Sequence, residues 1–181
     1  MTDLSATTGT WTIDPSHTTI GFSARHAMVA KVRGSFTEFS GSITLDGAAP
    51  ERSSAELLVQ TASLTTQNPD RDAHLKSADF LNVEVNPTLT FKSTSVKAKS
   101  DDTFTVTGDL TIGGVTKSID LDFDLLGVSP DPWGGTRIGF EAETEISRKD
   151  FGLVWNVALE TGGVLVSDKV KLSIDVEAVK Q

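Results

Sequence analysis

Between residues 119 and 125 the chain reads Ile-Asp-Leu-Asp-Phe-Asp-Leu, apolar and acidic in strict alternation. The same rhythm runs through 138–146, Ile-Gly-Phe-Glu-Ala-Glu-Thr-Glu-Ile. Successive side chains of a β-strand point to opposite faces, whereas a helical stripe repeats every 3.6 residues, so period two means strand. Phe104, Val106, Leu110 and Ile112 form another such stripe, as do Ile20, Phe22 and Ala24. Leu89 and Phe91 alternate too, and Val170, Leu172, Ile174 and Val176 make the last stripe. Strands with one dry and one wet face belong to antiparallel sheets, because parallel strands read as continuous apolar runs.

Turn chemistry separates the stripes. Asp46-Gly47, Asp101-Asp102, Gly113-Gly114, the run Pro-Asp-Pro-Trp-Gly-Gly at 130–135, Gly162-Gly163 and Ser167-Asp168 all fall between periodic segments. Eight to ten strands in an up-and-down meander result. A meander with one apolar face must cover that face. Closing into a barrel does so and removes the sheet edges as well.

One stretch breaks the rhythm. Residues 68–82 place Ala73, Leu75, Ala78, Phe80 and Leu81 at no period of two. Asn68 or Asp70 can cap a helix, Pro69 suits a first turn and acids sit early. This predicts one short helix near residues 70–80, lying over the barrel or its mouth.

A length of 181 residues is one domain's worth. The polar residues 1–9 read as a flexible tail and 10–181 as a single barrel domain. Cysteine is absent, which excludes disulfides, thiolate zinc sites, iron–sulfur clusters and cysteine nucleophiles. Tyrosine is absent as well. A net charge of −9 repels phosphate backbones and anionic lipid faces, so nucleic acid is not an expected partner. The N-terminus lacks the basic and apolar regions of a secretory signal, which sets a cytoplasmic location as the expectation. Apolar runs reach only about four residues, far short of a spanning helix, and stable membrane insertion is not expected. A homodimer is expected only from how common two-fold dimers are.

An eight-stranded barrel is either filled by its own side chains or holds a small ligand. Strands of about 9–12 residues reach roughly 30–40 Å, which is long for a small barrel. The inward stripes are almost purely Ile, Leu, Val and Phe. A long apolar ligand suits such an interior, and so does a packed core; the residues alone leave both open.

Three polar groups interrupt the pattern: Asp14, His17, His26 and Arg33; Arg71, Asp72 and His74; and Lys117, Arg148 and Asp150. Each has a structural reading, in a turn leading into a strand, a tie between helix and rim, or a strand end. Each could also meet a ligand head group. The histidines at 17, 26 and 74 show no metal-binding spacing, so no metal site or cofactor is expected. No Gly-x-Ser-x-Gly elbow exists. The segment Gly113-Gly-Val-Thr-Lys117-Ser118 lacks the glycine spacing of a phosphate loop and reads more simply as a hairpin. No catalytic residue is nominated.

Four segments in register resemble the YceI-like family of polyisoprenoid-binding, lipocalin-like proteins. The first carries Trp11, Asp14, His17, Ile20, Phe22, His26 and Met28, followed by Arg33, Gly34 and Phe36. The second is Asn68-x-x-Arg71-Asp72-x-His74-Leu75, then Asp79-Phe80, Pro87 and Thr90-Phe91. The third is Gly108-Asp-Leu-Thr-Ile112-x-Gly114-Val-Thr-Lys117 and the fourth Arg148-x-Asp150-Phe151-Gly152. The chain departs from the family pattern at Ser167, where a Gly usually precedes the Asp, and at Asn86, where an aromatic often precedes the Pro. The resemblance implies an all-β, extended eight-stranded antiparallel barrel with one helix, enclosing an apolar tunnel for an isoprenoid chain.

On that basis the nominated lining is Ile20, Phe22, Phe36, Phe91, Phe104, Val106, Leu121, Phe123, Ile138 and Phe140, with Trp155 flanking the mouth. His26, Arg71, Lys117 and Arg148 are the candidate donors to a diphosphate or quinone head. The expected partner is a polyisoprenoid, isoprenoid quinone or prenyl phosphate, bound for transport, storage or sensing. An enzyme acting on such a lipid, or a ligand-free interaction barrel, are the alternatives.

Overall fold

A computed structural model describes residues 4–181. Eleven strand segments form one antiparallel sheet: β1 (Gly9–Ile13), β2 (Thr19–His26), β3 (Ala30–Phe36), β4 (Phe39–Leu45), β5 (Ser54–Gln60), β6 (Leu64–Thr65), β7 (Thr88–Ala98), β8 (Thr103–Ile112), β9 (Val115–Pro130), β10 (Thr136–Ser147) and β11 (Lys169–Lys180). The sheet closes because β11 pairs with β1, Trp11 lying opposite Lys180 and Ile13 opposite Ala178. The ring runs β1-β4-β5-β7-β8-β9-β10-β11, an eight-stranded antiparallel barrel.

The three remaining segments prolong their neighbours. β2 pairs with the first half of the same β11 edge that β1 holds further on, Ile20 facing Ile174. β3 lies across from β2, and β6 lies beside β3. Three staves are thus broken in the middle, at residues 14–18, 37–38 and 61–63. The first break has a plain cause. Pro15 cannot donate to a ladder, and the Asp14 carboxylate turns inward on its own loop, accepting the Ser16 N–H at 2.9 Å.

The wet face is ordered by side-chain pairs across β8 and β9. Thr103, Thr105 and Thr107 each donate a hydroxyl at 2.6 Å to Asp124, Asp122 and Asp120 respectively. These are directly opposed residues, so the acidic stripe of 119–125 is the solvated partner of a threonine stripe.

The helix α1 spans Pro69–Lys76. The Asn68 side chain accepts the Arg71 N–H at 3.0 Å and Pro69 occupies the first turn. It is shorter than the periodicity suggests, because the Ser77 hydroxyl donates to the His74 carbonyl at 2.6 Å and the chain turns there. Phe80 and Leu81 follow in that turn, and Leu81 is buried.

The polar lead-in expected as a flexible tail at 1–9 falls partly outside the described residues, at 1–3. Residues 4–9 fold against the barrel. Ser5–Thr7 form a 3-10 turn. Thr7 is buried, and its carbonyl accepts the Trp11 Nε1–H at 2.8 Å. No helix among the described residues is long and apolar enough to cross a membrane.

Candidate ligand-binding site

The barrel's two ends differ. At the end covered by α1, Leu64, Leu81 and Phe151 are buried, with Phe22, Phe36, Leu75 and Leu153 packed against them. Above these, His74, Phe80 and Trp155 form a cluster of rings, the closest pair being His74 and Trp155 with centroids 4.5 Å apart. This helix end is filled.

The middle and the opposite end are not. A cavity of about 180 Å³ is lined there by Ile20, Leu89, Phe91, Phe104, Val106, Leu110, Leu121, Phe123, Ile138, Phe140, Leu172 and Ile174, among others. Its rim consists of Leu4, Asp46, Gly47, Pro50, Ser53 and Ser54. A single water needs roughly 10–15 Å³, so the space would hold about a dozen groups of that size. The walls are nearly all hydrocarbon, and apolar cavities of this kind stay dry and take apolar guests.

The chemistry of the strands explains why the space persists. Phe123 on β9 and Phe140 on the adjacent β10 share one wall of the cavity and meet edge to face, 6.5 Å between centroids. Gly108 faces inward on β8, and the Phe91 ring lies over it, so that a Cβ there would sit 2.3 Å from the ring's Cζ. Phe91 therefore lies along the wall and leaves the lumen open.

Of the nominated lining, Ile20, Phe91, Phe104, Val106, Leu121, Phe123, Ile138 and Phe140 surround this cavity. Phe22 and Phe36 do not. They face inward but at the filled end, 5.7 Å apart between ring centroids. Alternation distinguishes in from out; it carries no information on height along the barrel. Trp155 stands over the helix end with His74 and Phe80, away from the rim.

None of the four nominated head-group donors lines the cavity. Arg148 is buried near the helix end, and its guanidinium donates to the carbonyls of Ser167, Leu153, Trp155 and Val166 at 2.6–3.2 Å. Burial pushes its guanidinium below the usual range, while the Asp168 charge acts in the opposite direction. Arg71 donates to the Thr66 hydroxyl at 2.8 Å and to the Thr66 carbonyl at 3.0 Å. Asp72 accepts from the Thr66 amide and hydroxyl. Burial acts to raise its carboxyl, but these bonds outweigh it and hold the group below the ordinary value. Lys117 is exposed beside the β8–β9 turn, and His26 is exposed at the end of β2, paired through its backbone with Val166. These four side chains tie loops to the barrel or meet solvent.

The rim residues escaped the sequence argument. Leu4 sits in the polar lead-in, and Asp46-Gly47 carries only a turn signal. Gly47 matters because Leu4 lies on it so closely that any Cβ would fall 1.7 Å from the Leu4 carbonyl oxygen.

A second polar cluster lies outside the barrel at the first stave break. Asp14, His17 and Glu177 bring their ligand atoms within 4.8 Å of one another. The Arg137 guanidinium already occupies that space, donating to Asp14 at 2.7 Å and to Glu177. The His17 ring at 2.9 Å and the Arg137 guanidinium hold the Asp14 carboxyl well below the usual carboxylate range. The cluster is an ion-pair knot joining β1, β10 and β11.

The YceI-like domain family matches residues 11–178. The chain belongs to the YceI-like family. Protein YceI of Escherichia coli is 42% identical over 165 residues, covering 91% of this chain and 83% of that one. Among solved structures, Burkholderia cenocepacia BcnA superposes with a TM-score of 0.79 at 20% identity, covering 91% of this chain and 98% of its own. A polyisoprenoid-binding domain from Saccharophagus degradans, implicated in plant cell wall breakdown, superposes with a TM-score of 0.72 at 15% identity, covering 94% and 98%. The barrel, its closure and its helix are those of the YceI-like fold.

Proposed function

We propose that this protein binds the hydrocarbon tail of a long isoprenoid lipid inside its barrel, for transport, storage or sensing. The observation that carries this is the mid-barrel cavity, walled by Phe91, Phe104, Phe123 and Phe140 with aliphatic side chains between them and open at a rim near Leu4 and Gly47. Such a wall offers dispersion and the exclusion of water, and almost nothing polar. It fits a guest that is itself apolar along most of its length. The likeness to a polyisoprenoid-binding domain supports the same class of guest. Such a wall suits the binding of an apolar tail, whether the guest is a quinone or a prenol.

Native mass spectrometry of the protein purified without detergent tests this. The expected result is a fraction carrying one added mass in the range of a long-chain lipid, released as an isoprenoid on organic extraction. A protein that emerges empty and takes up no prenol on incubation would overturn the proposal.

A further inference from the structure

The turn between β2 and β3 is made by Ala27 and Met28, with φ of 51° and 64°. Hairpin turns of this hand favour Asn and Gly, so an alanine and a methionine there cost stability. The side chains raised at this tip are apolar and stand in water: Met28 is 60% exposed and Val29 79%. The tip is held in place. The Ala27 N–H donates to the Leu165 carbonyl at 2.7 Å, and the Met28 side chain lies against Gly163, where a Cβ would fall 3.2 Å from its Cγ. Val157 and Val164, on that adjoining loop, are exposed as well.

Behind the tip the outer face of the hairpin is cationic. Phe22 and Ala24 belong to the inward stripe, so Arg25 points outward, and the residue opposite it is Lys31. Arg33, opposite Ser23, shares that face. All three are exposed, and among the described residues none of them meets a carboxylate within ion-pair distance. Like charges set directly opposite destabilise a strand pair, and Arg25 and Lys31 are so placed. Glu143 on β10 is held by Lys171 at 2.8 Å, and Lys31 acts on it only at longer range. The chain carries a net charge of −9, but its acidic stripe at 119–125 lies on β9, with β10 and β11 between it and this hairpin.

An aliphatic tip backed by cations without partners has the two parts that a membrane surface recognises: side chains for the acyl boundary and charges for the phosphates above it. We infer that this hairpin docks the protein peripherally on anionic lipid bilayers, with Met28 and Val29 dipping to the acyl boundary and Arg25, Lys31 and Arg33 at the headgroup phosphates. The inference is independent of what the barrel binds.

Sedimentation of the full chain with large unilamellar vesicles tests it, comparing phosphatidylcholine alone with phosphatidylcholine mixed with phosphatidylglycerol. The chain is expected to partition onto the mixed vesicles at least about tenfold more strongly than onto the neutral ones. It should be released in about 1 M sodium chloride, where charges are screened beyond about 3 Å. Lys31→Glu should weaken partitioning at least about fivefold, and Val29→Ser about threefold or more. Both positions are exposed, so the barrel should stay folded. Lys97→Glu makes the same charge change at an exposed position of β7 and should weaken partitioning less than about twofold. Failure to bind the mixed vesicles, or equal binding to both compositions, overturns the inference. So does a loss with Lys97→Glu as large as with Lys31→Glu, since net charge and not this face would then decide. A Val29→Ser chain that partitions like the unaltered one overturns the docking of the tip. Should a variant fail to fold, the unaltered chain still decides: binding to mixed vesicles that persists in salt overturns the inference.

Discussion

The ring of Phe22 stands over Gly34 on the neighbouring strand, where a Cβ would lie 2.3 Å from its Cζ. Phe91 and Gly108 repeat the relationship at the same 2.3 Å, but in the cavity and not at the filled end. The two pairs should therefore respond differently to the same change. Gly34→Ala forces the Phe22 ring into a packed region, where overpacking costs about 1–3 kcal/mol. It should lower the unfolding midpoint and leave lipid capacity intact. Gly108→Ala should tip the Phe91 ring into open space. It should cost less stability and reduce lipid uptake, measured by thermal unfolding and by probe binding on both variants.

Phe123 faces Phe140 inside the cavity. An aspartate in its place sets an unpaired carboxylate in hydrocarbon, at a cost of several kcal/mol unless it takes up a proton. Phe123→Asp should abolish lipid binding while circular dichroism still reports the barrel. Normal binding by a folded variant would remove Phe123 from the wall.

Arg148 is expected to matter for stability and not for the guest. Replacing it with Lys keeps the charge but loses the fork that reaches four carbonyls. Breaking such a buried network costs about 3–5 kcal/mol. The 152–167 segment should exchange its amide hydrogens faster, with tail affinity in the remaining folded protein unchanged. A selective loss of affinity without a loss of stability would restore Arg148 as a head-group contact.

Asp14 should make the barrel acid-sensitive. Hydrogen bonds from His17 and Arg137 depress its folded carboxyl below the unfolded value of about 3.9. A depressed carboxyl contributes stability that is fully present above the unfolded value and is lost as pH falls toward the folded one. Asp14→Asn should therefore be destabilising near neutral pH, and the difference from the unaltered chain should shrink between roughly pH 5 and pH 2. Denaturant unfolding at a series of pH values reads this directly; a difference that stays constant with pH would show that Asp14 acts through shape alone.

Much of the fold was readable from periodicity because every wall of a barrel faces either hydrocarbon or water. Strands, turns, closure and the helix start at Asn68-Pro69 all follow from that binary rule and from local capping. What the pattern could not carry is position along the barrel axis. Ile20 and Phe22 belong to one stripe, yet Ile20 lines the cavity and Phe22 the plug. Height along the barrel depends on how the ring is staggered when β11 meets β1, a pairing between opposite ends of the chain. The same holds for Arg71 and Arg148, whose residue types suit a phosphate but whose place in the closed ring puts them far from the rim. Leu4 and Gly47 were invisible for a different reason: a rim built from turn residues has no periodic signal.

Affinity should grow with tail length and then stop growing. Each buried methylene contributes about 0.8 kcal/mol, so a five-carbon isoprene unit gives about 4 kcal/mol gross. Four units would give about 16, close to the ceiling near 18–21 kcal/mol for non-covalent binding, before the entropy of ordering the chain is subtracted. The cavity of about 180 Å³ sets the limit sooner. At roughly 10–15 Å³ per water-sized group it holds about two to four isoprene units. Beyond that a longer tail must either leave through the rim or push into the packed ring of Phe22 and Phe36, where no space waits for it. Titrating prenols from one to eight units should show dissociation constants falling steeply over the first few units and level thereafter. A response that is flat from the shortest prenol onward would mean that the tail does not enter the barrel.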